Sequence, residues 1–157
     1  MKELKFTVLK ACPAITAATL LLCFLTQAAA KLFGIELPEQ ANLDFVLSHA
    51  GFNVLFMKTL ALILVVMPAV EETIFRYVMF SAIKPGRAWL AAAVSSALFS
   101  ASHYIGQPFP DNAFVALFFF GYAQCMLLQK TGKLRFTILN HALFNLVNLV
   151  LLFAFRG

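Results

Sequence analysis

Pro68-Ala69-Val70-Glu71-Glu72-Thr73-Ile74-Phe75-Arg76 is the stretch on which the reading of this chain turns. It lies inside an apolar run over residues 52–83. In a membrane-spanning run each ionised side chain costs roughly 2.5–3.5 kcal/mol on insertion scales. A segment that only had to span lipid would carry Leu or Ala at these places. Two adjacent carboxylates and an arginine at such depth therefore need a use. Three later residues, His103, His141 and Asn145, are of the types that could supply one.

Composition puts the run in a membrane. The chain has 157 residues, enough for one domain, and is 62% hydrophobic, against roughly 45–50% in soluble globular domains. Charged residues are 12%, about half the usual quarter. The expected fold is all-α, a polytopic membrane helical bundle of about five transmembrane helices. The net charge of +5 comes without a basic run or basic–aromatic interleaving, so nucleic acid is not an expected partner.

Outward from the central stretch, the expected spans cover residues 7–33, 52–83, 88–104, 113–128 and 136–155. At ~1.5 Å per residue the second is about 48 Å long against a ~30 Å hydrocarbon core, so it must tilt, kink at Pro68 or protrude. Lys2, Lys5 and Lys10 precede an apolar stretch longer than the ~7–15 residues of a signal peptide, which reads as a retained first span. Lys84-Pro85-Gly86-Arg87 and Lys130-Thr131-Gly132-Lys133-Leu134-Arg135 are basic connections. The loop holding Glu36, Glu39 and Asp44, and the turn Gly106-Gln107-Pro108-Phe109-Pro110-Asp111, carry no Lys or Arg. The positive-inside rule then places the N-terminus in the cytoplasm. The third span is rich in Ala and Ser and suits close helix packing. Cys12, Cys23 and Cys125 are odd in number and lack a CxxC spacing, which predicts neither a disulfide nor a thiolate metal site. No cofactor is expected.

Glu72 and Arg76 are four residues apart and can pair on one helical face. Glu71 then points elsewhere, in a desolvated setting that prepares a carboxylate to act as general base. Phe99 and His103 lie one turn apart and look into one crevice. His141 and Asn145 share a face of the last span at i, i+4 and offer two donors, as an oxyanion hole requires. Asn148, on another face, suits interhelical hydrogen bonding, and His49 has no partner pattern. Counted from the basic flanks at ~1.5 Å per residue, Glu71 and His103 come out at about 20 and 24 Å, a matched pair. His141 and Asn145 come out shallower, at about 9 and 15 Å. Other readings of the same residues stay open here. They are an ion network locking helices together, a zinc site built from the Glu and His side chains without an HExxH spacing, and a non-enzymatic peptide-binding or immunity protein.

The order Glu71-Glu72-x-x-x-Arg76, Phe99-x-x-x-His103, His141-x-x-x-Asn145 resembles the CPBP family of CAAX prenyl endopeptidase-like and bacteriocin-processing (Abi) intramembrane proteases. The resemblance covers a protease core at about residues 70–148. It implies a glutamate-dependent endopeptidase of a membrane-tethered protein or peptide, in a bacterial plasma membrane. Glu71 and His103 would activate a water, His141 and Asn145 would hold the oxyanion, and Glu72 and Arg76 would support Glu71. Family members commonly have more spans, so an oligomer or partner subunit is implied as well. Among short members the narrower expectation is a peptidase for a C-terminal sorting signal.

Overall fold

The structure, a computed structural model, describes residues 2–34, 54–83, 86–105 and 113–155. Five helical segments make up most of these residues: α1 (Lys2–Leu32), α2 (Val54–Ile83), α3 (Ala88–Ser102), α4 (Ala113–Thr131) and α5 (Leu134–Phe155). No strand occurs among the described residues. The expected all-α class holds, and the five segments fall close to the expected spans. Two of them, α2 and α5 over Leu134–Leu151, are long and apolar enough to cross a membrane. The acidic loop, His49, Lys84, Pro85 and the turn from Gly106 to Asp111 lie outside the described residues.

α2 holds the central stretch, and Pro68 does not end it. A proline inside a helix has no N–H to give the preceding turn. Here the chain winds wider over Leu62–Val66, a π-helical segment in which the Met67 N–H reaches back to the Leu62 carbonyl. α-Helical winding resumes over Met67–Glu72, and a second π segment follows over Thr73–Phe80. Wide turns expose carbonyls that need outside donors, and they recur at functional sites. Ser95 Oγ on α3 donates to the Phe75 carbonyl at 2.5 Å, and Ser81 Oγ to that of Arg76 at 3.3 Å.

The small residues of α3 do what their size allows. Ala91, Ala92, Ser95, Ser96 and Ser100 are buried with Phe99, and α3 and α4 form the most extensive helix pair. Gly121 on α4 sits against Ser96 so closely that an added Cβ would stand 3.1 Å from the Ser96 Cβ and 3.2 Å from its Cα. Gly132, at φ 64°, makes the tight turn from α4 to α5. Its N–H closes on the Leu128 carbonyl at 2.7 Å.

Side-chain contacts set the directions. α3 and α4 are antiparallel, since Ser96 meets Gly121 and Ser100 meets Phe114. α2 and α5 are antiparallel, since Ile63 meets Asn145 and Glu72 meets His141. α1 packs on α4 and α5. Its Thr16 donates to Asn140 Oδ1 at 3.5 Å. Arg87, Lys130, Lys133 and Arg135, at the starts or ends of α3, α4 and α5, therefore gather at one end of the bundle. Two apolar clusters fill its interior, one of Phe80, Ala91, Ala92, Cys125 and Leu128, the other of Phe99, Phe120 and Phe144.

Candidate active site

The second cluster carries the buried charges. Glu72 and Arg76 are fully buried one turn apart on α2, with Arg76 Nε 3.3 Å from Glu72 Oε2. This is the pair their spacing predicts. The guanidinium carbon lies 4.3 Å from the centre of the Phe99 ring and 5.9 Å from that of Phe75. Its nitrogens make no hydrogen bond among the described residues. Glu72 and the π-faces of two phenylalanines are thus what hold this cation, and a desolvated cation–π contact contributes about 2 kcal/mol or more.

His141, 4% exposed, brings α5 to the carboxylates. Its Nδ1 is 2.9 Å from Glu72 Oε1. An ionised carboxylate can only accept, so that nitrogen carries the proton and donates it to Glu72. The other ring nitrogen, Nε2, faces Glu71 Oε2 at 3.6 Å, close enough for an ion pair and too long for a hydrogen bond. Phe99 and Phe120 meet the imidazole edge-on, at 5.8 and 5.2 Å between ring centres, and Phe120 stacks on Phe144 at 4.5 Å. The ring has one orientation open to it. Of the two glutamates, Glu71 keeps some exposure, at 17% of its side chain, and makes no hydrogen bond among the described residues. Glu72, by contrast, lies between Arg76 and His141.

His103 stands apart from this set. It caps the end of α3, is exposed, and donates from Nδ1 to the Phe99 carbonyl at 2.9 Å. Its ring lies 4.8 Å from the Phe99 ring. That donation leaves Nε2 as the basic nitrogen. The matched depth of Glu71 and His103 does not become a contact, and the histidine that reaches Glu71 is His141. The helical rise counts depth alone. The Phe99 ring packs edge-on against both imidazoles. His103 and His141 share one aromatic wall without meeting.

Asn145 lies one turn beyond His141, and its Nδ2 donates to the Ile63 carbonyl on α2 at 3.0 Å. One of its two amide hydrogens is therefore engaged. Asn148, expected to bridge helices, instead donates to the Phe144 carbonyl of its own helix at 2.9 Å. The Glu-Glu-His-His set that zinc would need is not gathered, because His103 lies across Phe99. Among the described residues no three His, Cys, Asp or Glu side chains converge to hold a metal.

Sequence reasoning missed a second polar cluster behind the site. Gln124 on α4, fully buried, donates from Nε2 to the Thr137 carbonyl and accepts from Asn140 Nδ2, both at 3.0 Å. Thr137 and Asn140 flank the turn of α5 that presents His141. Gln124 was visible as an amide in an otherwise apolar span, yet nothing in the sequence paired it with Asn140. On another face of α5 an apolar cleft of about 300 Å³ runs along α1, lined by Pro13, Thr16, Ala17, Leu20, Leu143 and Val147.

The buried Glu–Arg–His cluster is thus carried by α2 and α5, the two helices long and apolar enough to cross a membrane. The type II CAAX prenyl endopeptidase Rce1-like family matches residues 51–147, and the chain belongs to that family. Its members are membrane proteins and proteases. The matched segment runs from the start of α2 to the middle of α5 and holds all six candidate residues. Comparisons with curated proteins and with solved structures find no match.

Proposed function

We propose that the chain is a glutamate-dependent intramembrane endopeptidase. It would hydrolyse a peptide bond in a membrane-anchored protein or peptide, in its narrower form at a C-terminal sorting signal. Five spans would cross a bacterial plasma membrane, with the basic end of the bundle and the N-terminus in the cytoplasm. The observation that carries this reading is His141 held between two carboxylates of unequal burial, with Glu72 fixed by Arg76 and Glu71 left without a hydrogen bond among the described residues.

The chemistry follows from that asymmetry. Glu71 Oε2 and His141 Nε2 are both proton acceptors when deprotonated, so a proton or a water must mediate between them at 3.6 Å. With a water there, Glu71 takes its proton as general base while the oxygen attacks the carbonyl carbon of the substrate. The carbonyl oxygen gains charge as the tetrahedral intermediate forms. The second amide hydrogen of Asn145 would be one donor to that charge, and His141, one turn away on α5, would be the other as the imidazolium, with a proton on Nε2 besides the one Nδ1 gives to Glu72. Glu72 and Arg76 keep the imidazole in one tautomer and one orientation. His103 Nε2, on the outer side of Phe99, serves the proton traffic of the water or the leaving amine. Collapse of the intermediate passes the proton from Glu71 to the amine as the C–N bond breaks.

The test compares the termini of membrane-anchored proteins, by mass spectrometry, in cells carrying wild type or Glu71→Gln at equal amounts of folded protein. Termini made only with wild type are expected, and they name the substrate. Identical termini in both would return the site to a structural ion network or a binding module.

A further inference from the structure

Pro68 is three residues before Glu71, fully buried, and outside the polar cluster. Its place in the winding of α2 gives it a consequence on α5. Over Leu62–Val66 the helix bonds in the wide register, with the Met67 N–H on the Leu62 carbonyl. The next donor in that register would be residue 68, and the carbonyl it would serve is that of Ile63. Proline has no N–H to give. The Ile63 carbonyl is therefore without its helical partner, in a part-buried apolar setting where an unpaired carbonyl is costly. The Asn145 side chain on α5 supplies the missing donor at 3.0 Å.

We propose that Pro68 is a positioning residue of this site. By withholding one N–H from α2 it commits an amide hydrogen of Asn145 to Ile63, and that bond ties α5 to α2 one turn of α5 beyond the place where His141 meets Glu71 and Glu72. The tie fixes how far α2 stands along α5, and so the separation of Glu71 from His141. It also fixes the plane of the Asn145 amide. This deepens the proteolytic reading and rests on it where activity is concerned, while the tie itself has a readout free of activity.

The experiment is a double-mutant cycle of Pro68→Ala and Asn145→Ala, melted in detergent and assayed in cells. In the wild-type background Asn145→Ala leaves the Ile63 carbonyl bare and should lower Tm by about 2–12 °C. In the Pro68→Ala background the backbone N–H restored at position 68 serves that carbonyl, and the same Asn145 change should lower Tm by less than half as much. Pro68→Ala alone should keep or raise Tm, yet lower the yield of wild-type-specific termini about 10- to 100-fold, the cost of loosened positioning. Asn145→Leu, which cannot donate, should behave as Asn145→Ala in both backgrounds. Equal Tm losses in the two backgrounds, or full cleavage by Pro68→Ala, would overturn the proposal. Glu71→Gln runs alongside. If it cleaves like wild type, the proteolytic reading is what fails, and the tie stands or falls on the melting cycle.

Discussion

Arg76→Leu gives the sharpest test of how the charge cluster is held. The guanidinium is fully buried, stands 3.3 Å from a fully buried Glu72, and has no hydrogen-bond partner among the described residues. Replacing it with Leu keeps much of the volume and leaves His141 as the only group among the described residues that can offset the Glu72 charge at ion-pair distance. Breaking a buried pair by deleting one member costs about 3–5 kcal/mol, because the other charge is left uncompensated. At ~2–4 °C per kcal/mol for a chain of this size, Tm should fall by roughly 6–20 °C. With the half-buried Cys12 and Cys23 replaced by Ser, a thiol-reactive fluorophore in detergent reads the transition, since Cys125 is a free, buried thiol that unfolding exposes. The second half of the test separates charge from packing. Glu72→Gln added to Arg76→Leu removes the stranded carboxylate, and the double variant should recover more than half of the lost Tm. A single variant that melts with wild type, or a double variant that melts below the single, would refute the argument that these two charges exist for each other.

The packing and polar contacts around the cluster can be probed in the same melt. Gly121→Val should lower stability by about 1–3 kcal/mol through overpacking against Ser96, seen as a lower Tm, while Gly132→Asn at the turn should be tolerated because Asn accepts a left-handed φ. Asn140→Leu strands the Gln124 carbonyl oxygen and should cost about 1–3 kcal/mol, and adding Gln124→Leu should restore part of the loss. His103→Ala, at an exposed helix end, should leave Tm within about 2 °C and reduce the cleaved termini about 10²–10⁴-fold, as loss of a general acid or base does. A strong zinc chelator should leave cleavage by purified protein unchanged; its abolition, restored by zinc, would replace the carboxylate base with a metal-bound water.

What the sequence made legible follows from which interactions are local. Glu72 and Arg76 are a turn apart, so their pairing could be read from spacing alone, and it forms. Apolar runs and basic turns marked the helices to within a few residues. The choice of histidine could not be read this way. Counting residues from a basic flank ranks side chains by depth but says nothing of the angle at which each helix faces its neighbour. Depth favoured His103 for Glu71, and orientation gives Glu71 to His141. The missing datum was Phe99, whose ring packs against both imidazoles. The π turns were equally hidden. Pro68 announced a disturbed helix, but not that the chain would wind wide over Leu62–Val66 or that residue 145 would bond the Ile63 carbonyl.

That distance in sequence bears on why two adjacent glutamates are needed at one place. A single carboxylate facing His141 would have to both orient the ring and take a proton from water, and taking the proton would discharge the group that holds the ring. Dividing the tasks removes the conflict. Glu72, fully buried, lies between Arg76 and the His141 Nδ1. Glu71, partly exposed and without a hydrogen bond among the described residues, would under the proposed mechanism handle the water's proton while Glu72 holds the ring. The two glutamates are therefore not interchangeable, and comparing their amide variants tests it. Glu71→Gln should abolish the cleaved termini at nearly unchanged Tm. Glu72→Gln should lower Tm by several degrees as well, because Arg76 is then the stranded charge and an unpaired buried ion costs about 3–5 kcal/mol. Equal melting of the two variants would mean that burial does not divide their roles.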